Sequence, residues 1–102
     1  MKKLLLILVG ETDMWGEHPL YEGIMRKLVQ LEAPGATVTA GIMGFGSHHH
    51  IHRKRLFGVS DDRPISILVA ADEAFLREKI IPAVRAMTPT ALILLLDAEV
   101  LP

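Results

Sequence analysis

Three glycines at the end of a short predicted strand have the spacing best suited to binding. They form the pattern Gly41-x-x-Gly44-x-Gly46. Glycines at a strand end let the backbone turn sharply and approach a ligand closely, and the N–H groups of such a turn can point at an anion. The spacing differs from the G-x-G-x-x-G of dinucleotide-binding folds, and no helical period follows it. A bent strand leading into a hairpin would need the same glycines. The glycines alone therefore leave a binding and a structural interpretation open.

Four of the five histidines lie within residues 48–52. In an extended segment His48, His50 and His52 share one face, and three imidazoles can bind Zn, Ni or Cu. The chain has no cysteine, so a closed divalent-metal site would need carboxylates or a neighbouring subunit. The carboxylates that could serve are Glu11, Asp13, Asp61 and Asp62. Anion binding, a solvated loop and a partner-protein contact are the other interpretations of this segment.

A basic stretch follows the histidines directly, as Arg53-Lys54-Arg55. We expect His52, Arg53 and Arg55 to make charge-assisted contacts to an anion or a phosphate group. Imidazoles begin to gain charge near pH 6.5, so anion affinity should rise on acidification. The formal net charge of the whole chain is only −1, which argues against a general nucleic-acid or membrane-surface binder.

Length and composition indicate a single domain over residues 1–102. The chain has 102 residues, of which 50% are apolar, and this supports one modest core. The absence of cysteine excludes a disulfide scaffold and fits a reducing cytoplasm. The apolar run at residues 4–9 is short and is followed by Glu11 and Asp13, which argues against a signal peptide. A second run at 91–96 is far below the ~20 residues that span a bilayer. We predict a cytoplasmic protein without membrane insertion.

The order of the predicted elements is strand, helix, strand, strand, helix, strand. The strands are expected near 4–9, 36–40, 65–70 and 91–96, and the helices between Pro19 and Pro34-Gly35 and between Asp72 and Met87. Residues 10–18 are predicted as a loop, and 47–63 as a long mobile loop. This order predicts an α+β, ferredoxin-like βαββαβ sandwich, with a four-stranded antiparallel sheet and two helices on one face.

Helical periodicity defines the face that each helix should bury. The expected inner stripes are Leu20, Ile24, Leu28 and Leu31 in the first helix, and Leu76, Ile80, Val84 and Met87 in the second. Asp72 is expected to cap the second helix. Pro82 should weaken or bend it, because the proline ring clashes with the preceding turn.

The predicted strand segments 4–9, 67–70 and 91–96 are apolar on both faces, although a strand that is half-exposed to water should alternate apolar and polar residues. Two helices cover only one sheet face, and monomers rarely expose an apolar patch above a few hundred Å². A loop rich in histidine, arginine and lysine is a poor cover for such a face. We therefore expect a homo-oligomer that buries the open face.

Catalysis and RNA binding find little support in the sequence. The chain has no cysteine nucleophile and no nucleophile-elbow motif, and its carboxylates are scattered. RNA-recognition modules of this fold class stack bases on aromatic residues of the central strands, and residues 4–9 and 65–70 contain none. We predict a protein that is not an enzyme and does not bind nucleic acid.

Taken together, several short motifs resemble the PII-like family known as domain of unknown function 190. They are Gly10-Glu11-x-Asp13, Pro19-Leu20-Tyr21-Glu22, Gly35-Ala36-Thr37-Val38, Gly41-Ile42-Met43-Gly44-Phe45-Gly46 and Ile51-His52. The resemblance covers nearly the whole chain and implies a homotrimer of the PII signal-protein superfamily. In PII proteins a Gly-Phe-Gly at the base of a long loop helps to form an adenine-nucleotide site between subunits. Gly44-Phe45-Gly46 matches it, and 47–63 would be the effector loop.

The sequence departs from true PII proteins at the phosphate-binding loop. Their glycine-rich, lysine-bearing loop is replaced by Thr88-Pro89-Thr90, so ADP or AMP is expected in preference to ATP. The resemblance thus implies a trimeric, non-enzymatic regulator that needs no cofactor, binds an adenine nucleotide or similar anion at the subunit cleft, and controls an unidentified partner protein through 47–63. The expected binding residues are Gly41, Gly44, Phe45, Gly46, His52, Arg53 and Arg55.

Two other functions stay open from the sequence. The first is a divalent-metal-binding trimer that uses His48, His50 and His52 and resembles the divalent-cation-tolerance branch of ferredoxin-like trimers. The second is a protein-interaction module without a small ligand.

Overall fold

In the computed structural model, the chain forms a four-stranded antiparallel sheet with helices packed against one face. The structure describes residues 1–45, the backbone of 52–53, and 62–102. In chain order the strands are β1 (Lys2–Gly10), β2 (Met14–Trp15), β3 (His18–Pro19), β4 (Thr37–Ala40), β5 (Met43–Gly44), β6 (His52–Arg53), β7 (Pro64–Asp72) and β8 (Leu92–Asp97). The main sheet has the order β4-β7-β1-β8. The predicted α+β, ferredoxin-like fold is confirmed.

The two central strands, β1 and β7, pair along their whole length. Lys2 lies opposite Asp72 at one end of this pair, and Gly10 lies opposite Pro64 at the other. On its other side β1 pairs with β8, where Leu8 lies opposite Leu92. Because side chains alternate across a strand, this register places every second residue of β1 on the same sheet face. The register therefore brings the ends of β1, β7 and β8 together at one edge of the molecule.

The core lies between the helices and the inward-facing residues of the sheet. Helix α1 spans Leu20–Gln30, and the second helix consists of α2 (Glu73–Phe75), a π-helical turn (Leu76–Ile80) and α3 (Ile81–Met87). The buried apolar side chains are Leu5, Ile7, Val9, Leu20, Ile24, Leu28, Ile65, Ile67, Val69, Ala71, Leu76, Ile80 and Val84. The predicted stripes are thus buried in both helices, with Leu31 and Met87 only partly buried at their ends.

Helix α1 ends earlier than the sequence predicts. Its last residue is Gln30, and the N–H of Leu31 still donates to the Lys27 carbonyl at 3.0 Å. Glu32 then adopts a φ of 63°, the left-handed conformation in which helices commonly end. The helix therefore stops before Pro34, and the expected termination by Pro34-Gly35 is wrong.

The start of the second helix also differs from the expected arrangement. Asp72 occupies the N-cap position but makes no side-chain capping hydrogen bond; its carboxylate lies 3.0 Å from Lys2 Nζ instead. The sequence predicts that Pro82 weakens or bends this helix. In the structure the π-helical turn ends at Ile80, directly before α3, and Pro82 is the second residue of α3. A wider turn accommodates a proline ring because the ring would otherwise clash with the carbonyl four residues back.

The sheet face opposite the helices is largely apolar over β1, β7 and β8, as the strand sequences predict. Its apolar residues are Leu4, Leu6, Leu8, Leu68, Ala70, Leu92, Leu94 and Leu96, and the polar residues Thr37, Thr39 and Ser66 lie on the same face. Leu92, Leu94 and Leu96 are 55%, 39% and 44% exposed. We call this surface the open face.

Two segments predicted as loops contain short strand pairs. Within residues 10–18, β2 pairs with β3 in a small hairpin whose turn includes Gly16 at a φ of 62°. Within 47–63, β6 pairs with β5, so that His52 lies opposite Gly44 and Arg53 opposite Met43. The rest of the predicted effector loop, up to Asp61, lies outside the described residues. Among the residues described, no helix is long and apolar enough to cross a membrane.

Candidate functional site

A cleft of about 440 Å³ lies where the ends of β1, β7 and β8 meet. One wall is the segment that follows β4, and the opposite wall is the connection between α3 and β8. The lining residues are Leu8, Val9, Gly10, Asp13, Met43, Gly44, Phe45, Asp62, Pro64, Thr88, Thr90, Ala91 and Leu92. Leu8 and Leu92 also belong to the open face, so the cleft opens at the edge of that face.

The glycine-rich wall of the cleft packs closely against Pro64. The N–H of Gly41 donates to the Pro64 carbonyl at 2.7 Å. A Cβ atom at Gly41 would lie 2.7 Å from Pro64 Cγ, and one at Gly44 would lie 3.1 Å from it. The backbone passes directly over the proline ring, so Gly41 leaves no room for a side chain, and a Cβ atom at Gly44 would fit only if the ring moved by a few tenths of an ångström. Beyond Gly44, the side chain of Phe45 is 68% exposed at the cleft mouth.

The structure brings some of the predicted binding residues together. Gly44 and Phe45 line the cleft, whereas Gly41 lies behind Pro64 and does not line it. The pairing of β5 with β6 places the backbone of His52 and Arg53 next to the same wall. The other candidates, Gly46, Arg55, His48 and His50, lie outside the described residues.

Two carboxylates line the cleft and accept hydrogen bonds from nearby backbone groups. Asp13 Oδ2 accepts from the Gly10 N–H at 2.8 Å, and Asp62 Oδ1 accepts from the Thr12 N–H at 2.9 Å. A Cβ atom at Gly10 would lie 2.7 Å from both carboxylate oxygens of Asp62. In the structure these two carboxylates order the chain after β1.

Beside these carboxylates, Glu11 and Arg63 form a bidentate ion pair. Arg63 Nε donates to Glu11 Oε1 at 2.9 Å, and Arg63 Nη2 donates to Glu11 Oε2. The hydrogen bond from the guanidinium lowers the pKa of the Glu11 carboxyl. The pair joins the residue after β1 to the residue before β7, and so fixes the base of the cleft next to Asp62.

The opposite wall is a turn, Thr88–Ala91, that sequence reasoning noted only as the place of a missing loop. The N–H of Thr88 donates to the Val84 carbonyl at 2.8 Å, and this threonine is 7% exposed. Arg85 Nη1 donates to the carbonyl oxygens of Thr88, Pro89 and Ala91 at 3.5, 3.2 and 2.6 Å. The sequence predictions include no role for Arg85. Its position could have indicated one, because a basic residue in the last turn of a helix can donate to the carbonyl groups that lack partners there.

The cleft combines an exposed aromatic ring, apolar strand ends, two aspartates and two threonines. This set suits a ligand with a flat apolar ring and several hydrogen-bonding groups. The residues that the structure describes include no group of three histidine, aspartate or glutamate side chains able to hold a metal ion. The hypothetical metal set of His48, His50 and His52 falls outside them, except for the backbone of His52.

One protein-family model matches nearly the whole chain. The family model described as "Uncharacterized ACR", domain of unknown function 190, matches residues 2–100. The chain belongs to this family. The chain is also 28% identical over 72 residues to a "UPF0166 protein" of Aquifex aeolicus. That match covers 71% of this chain and 69% of that protein.

Solved structures show the same fold. CPII of Thiomonas intermedia, a nitrogen regulatory PII-like protein solved with ADP, AMP and bicarbonate, has a TM-score of 0.65 and 24% identity. That match covers 97% of this chain and 87% of CPII. A second structure, of CPII with ADP, AMP and acetate, has a TM-score of 0.64 and 21% identity, covering 99% of this chain and 88% of CPII. The domain of unknown function 190 chain therefore has a PII-like fold.

Proposed function

We propose that this chain is a single-domain, PII-like regulator that binds an adenine nucleotide in the cleft, with AMP or ADP preferred over ATP. The observation that carries the proposal is the pairing of the Gly44-Phe45 wall with the Thr88–Ala91 turn across one cleft. A volume of about 440 Å³ falls within the range of about 300–1,000 Å³ that is typical of small-molecule sites.

The chemistry of the lining supports this ligand class. Phe45 offers a ring on which a base can stack. The carboxylates of Asp13 and Asp62 can accept from ribose hydroxyls or from an exocyclic amine, and the hydroxyls of Thr88 and Thr90 can donate to phosphate oxygens. Among the described residues that line the cleft, the charged side chains are these two carboxylates. They disfavour the most highly charged nucleotide, which supports AMP or ADP.

A homotrimer is part of the proposal. The open face includes eight apolar residues of three neighbouring strands, and burying it against another copy would remove this apolar surface from water. Since Leu8 and Leu92 belong to both the open face and the cleft, a neighbouring subunit seated on that face would border the bound ligand.

Regulation would pass through the segment 47–63. Parts of this segment lie at the cleft, because β6 pairs with β5 beside the glycine-rich wall and Asp62 is one of the lining residues. A ligand shifts such a segment only as far as it favours one of its conformations. We therefore propose that nucleotide occupancy changes the affinity of 47–63 for a partner protein in the cytoplasm, without any enzymatic step. The predicted contacts from Gly46, His52, Arg53 and Arg55 remain part of this proposal.

The solved structures of CPII support the same class of ligand. CPII was solved with ADP and AMP bound, and it shares the fold of this chain at 24% identity or less in these matches. A shared fold makes a related ligand plausible only where the site agrees. Here the site argument rests on the residues of this cleft.

Isothermal titration calorimetry on metal-free protein tests the proposal with ATP, ADP, AMP and cyclic AMP. We expect AMP and ADP to bind, and Phe45→Ala to weaken their affinity by about tenfold through lost stacking. Ile42→Ala is the matched control, because Ile42 is an exposed apolar residue of the same segment that does not line the cleft. No binding of any of the four nucleotides at high micromolar concentration, in an assembly shown intact by light scattering, would refute the proposal.

A further inference from the structure

One guanidinium group holds three carbonyl groups of the cleft wall. Arg85 lies in the last turn of α3, and its Nη1 donates to the carbonyls of Thr88, Pro89 and Ala91. The shortest of these contacts, to Ala91, is 2.6 Å. The last carbonyls of a helix have no partner within the helix, and a cation at this end also interacts favourably with the helix dipole. Arg85 thus joins the end of α3 to the start of β8.

This contact fixes the orientation of a peptide group in the turn. The described part of the chain has no cis peptide bond, and in a planar trans peptide the C=O and the following N–H point in opposite directions. Because the Pro89 carbonyl points at Arg85, the Thr90 N–H must point away from the guanidinium. Thr88 and Thr90 line the cleft, so the same contact sets which groups the turn presents to a ligand.

We propose that Arg85 is the positioning residue of the cleft: it holds the Thr88–Ala91 turn in the conformation that receives the phosphate-bearing part of the ligand. This inference rests on the proposed function, since it assumes that a nucleotide occupies the cleft. Arg85 does not itself line the cleft; it acts through the turn. Without it, the turn must be ordered when the ligand binds, and the entropic cost of that ordering weakens the affinity.

The first measurement needs no ligand. Amide hydrogen exchange of Thr88, the turn residue whose N–H donates to the Val84 carbonyl at 2.8 Å, is compared by NMR in wild type, Arg85→Gln, Arg85→Lys and the control Arg77→Gln. Arg77 is an exposed arginine of the same helix whose Nε donates to Glu73 at 2.8 Å. We expect exchange of the Thr88 amide to be about tenfold faster in Arg85→Gln, intermediate in Arg85→Lys and unchanged in the control. Unchanged exchange in the β1 and β7 amides shows that the fold is intact.

The second measurement is the affinity for AMP of the same four proteins. Loss of a charge-assisted contact that orders the turn should weaken AMP binding by about tenfold in Arg85→Gln and leave Arg77→Gln unchanged. A Thr88 amide that exchanges no faster in Arg85→Gln would overturn the inference, and so would faster exchange with unchanged AMP affinity. If wild type itself binds neither AMP nor ADP, the proposed function fails, and the exchange result alone then decides whether Arg85 orders the turn.

Discussion

Arg63 donates from both Nε and Nη2 to the carboxylate of Glu11, and the N–H of Glu11 donates in return to the Arg63 carbonyl at 2.9 Å. This reciprocal contact extends the β1–β7 pairing by one residue beyond Gly10 and Pro64. Both side chains are about three-quarters buried, at 22% and 26% exposed. Bidentate arginine–carboxylate pairs fix geometry as well as charge. The pair therefore anchors the chain at the point where the segment 47–63 returns to the sheet.

The first prediction concerns the acid stability of this pair. Its hydrogen bond lowers the pKa of Glu11 below the ordinary value of 4.5, so the folded state favours the charged carboxylate. The resulting stabilisation is fully present above the unfolded pKa and is lost as the pH falls through the folded pKa. We expect Glu11→Gln to lower the urea midpoint at pH 7, and the difference from wild type to shrink towards pH 3.

Glu22→Gln is the matched control for this measurement. Glu22 pairs with Arg26 at 2.9 Å on the exposed surface of α1, where such pairs contribute little. A Glu11→Gln midpoint that differs from wild type by the same amount at pH 7 and pH 3 would contradict the assigned role of the ion pair.

The second prediction concerns the contact between Gly10 and Asp62. A Cβ atom at Gly10 would lie 2.7 Å from both carboxylate oxygens of Asp62, so Gly10→Ala should displace this side chain and destabilise the fold by about 0.5–1.5 kcal/mol through loss of its hydrogen bond from the Thr12 N–H. The double variant Gly10→Ala/Asp62→Ala should lose less stability than the two single changes added together, because the clash is gone. Gly35→Ala is the control, since nothing lies within 4 Å of a Cβ atom there. Additive effects in denaturant unfolding would exclude the contact.

The third prediction concerns nucleotide selectivity. Asp62→Asn removes one negative charge from the cleft but keeps the Oδ1 atom that accepts from the Thr12 N–H. Coulomb repulsion acts on each phosphate charge, so the change should favour ATP over AMP by about tenfold relative to wild type. Asp72→Asn, a carboxylate at the far end of β7, should leave the ATP-to-AMP affinity ratio unchanged. Equal gains for both nucleotides on Asp62→Asn would show that the carboxylate does not select by charge.

The fold was predictable because hydrophobic periodicity encodes it locally. Alternating residues of β1, such as Leu5 and Leu6, face the core and the open face, and both are apolar. This double-sided pattern predicted an uncovered sheet face. The end of α1 was mispredicted because Glu32 adopts the left-handed conformation that glycine or asparagine usually supplies.

The candidate site was predictable only on its glycine-rich side. Gly44 and Phe45 are adjacent in a recognisable motif and do line the cleft. The opposite wall depends on Arg85, whose acceptors are backbone carbonyls that have no sequence signature. Asp62 meets Gly10 and Thr12 from about fifty residues away, and such a juxtaposition depends on the β1–β7 register rather than on local pattern.

The last prediction tests the open face through Leu94. Leu94 lies opposite Leu6, which in turn lies opposite Leu68, so the three form a continuous apolar row across β8, β1 and β7. Leu94 is 39% exposed in the single chain, and a glutamate there can remain hydrated while the chain is alone. In the proposed trimer the same carboxylate would be buried without a partner, which is costly. Leu94→Glu should therefore give a folded monomer by light scattering and circular dichroism.

Val29→Glu provides the control for Leu94→Glu. Val29 is a 75% exposed apolar residue on α1, so the substitution adds the same charge away from the open face and should leave the assembly intact. Since Leu8 and Leu92 border both the open face and the cleft, the Leu94→Glu monomer should also bind AMP more weakly than Val29→Glu does. A Leu94→Glu protein that keeps the wild-type mass would show that the open face is not the subunit interface. Unchanged AMP affinity in the monomer would show that one chain completes the site.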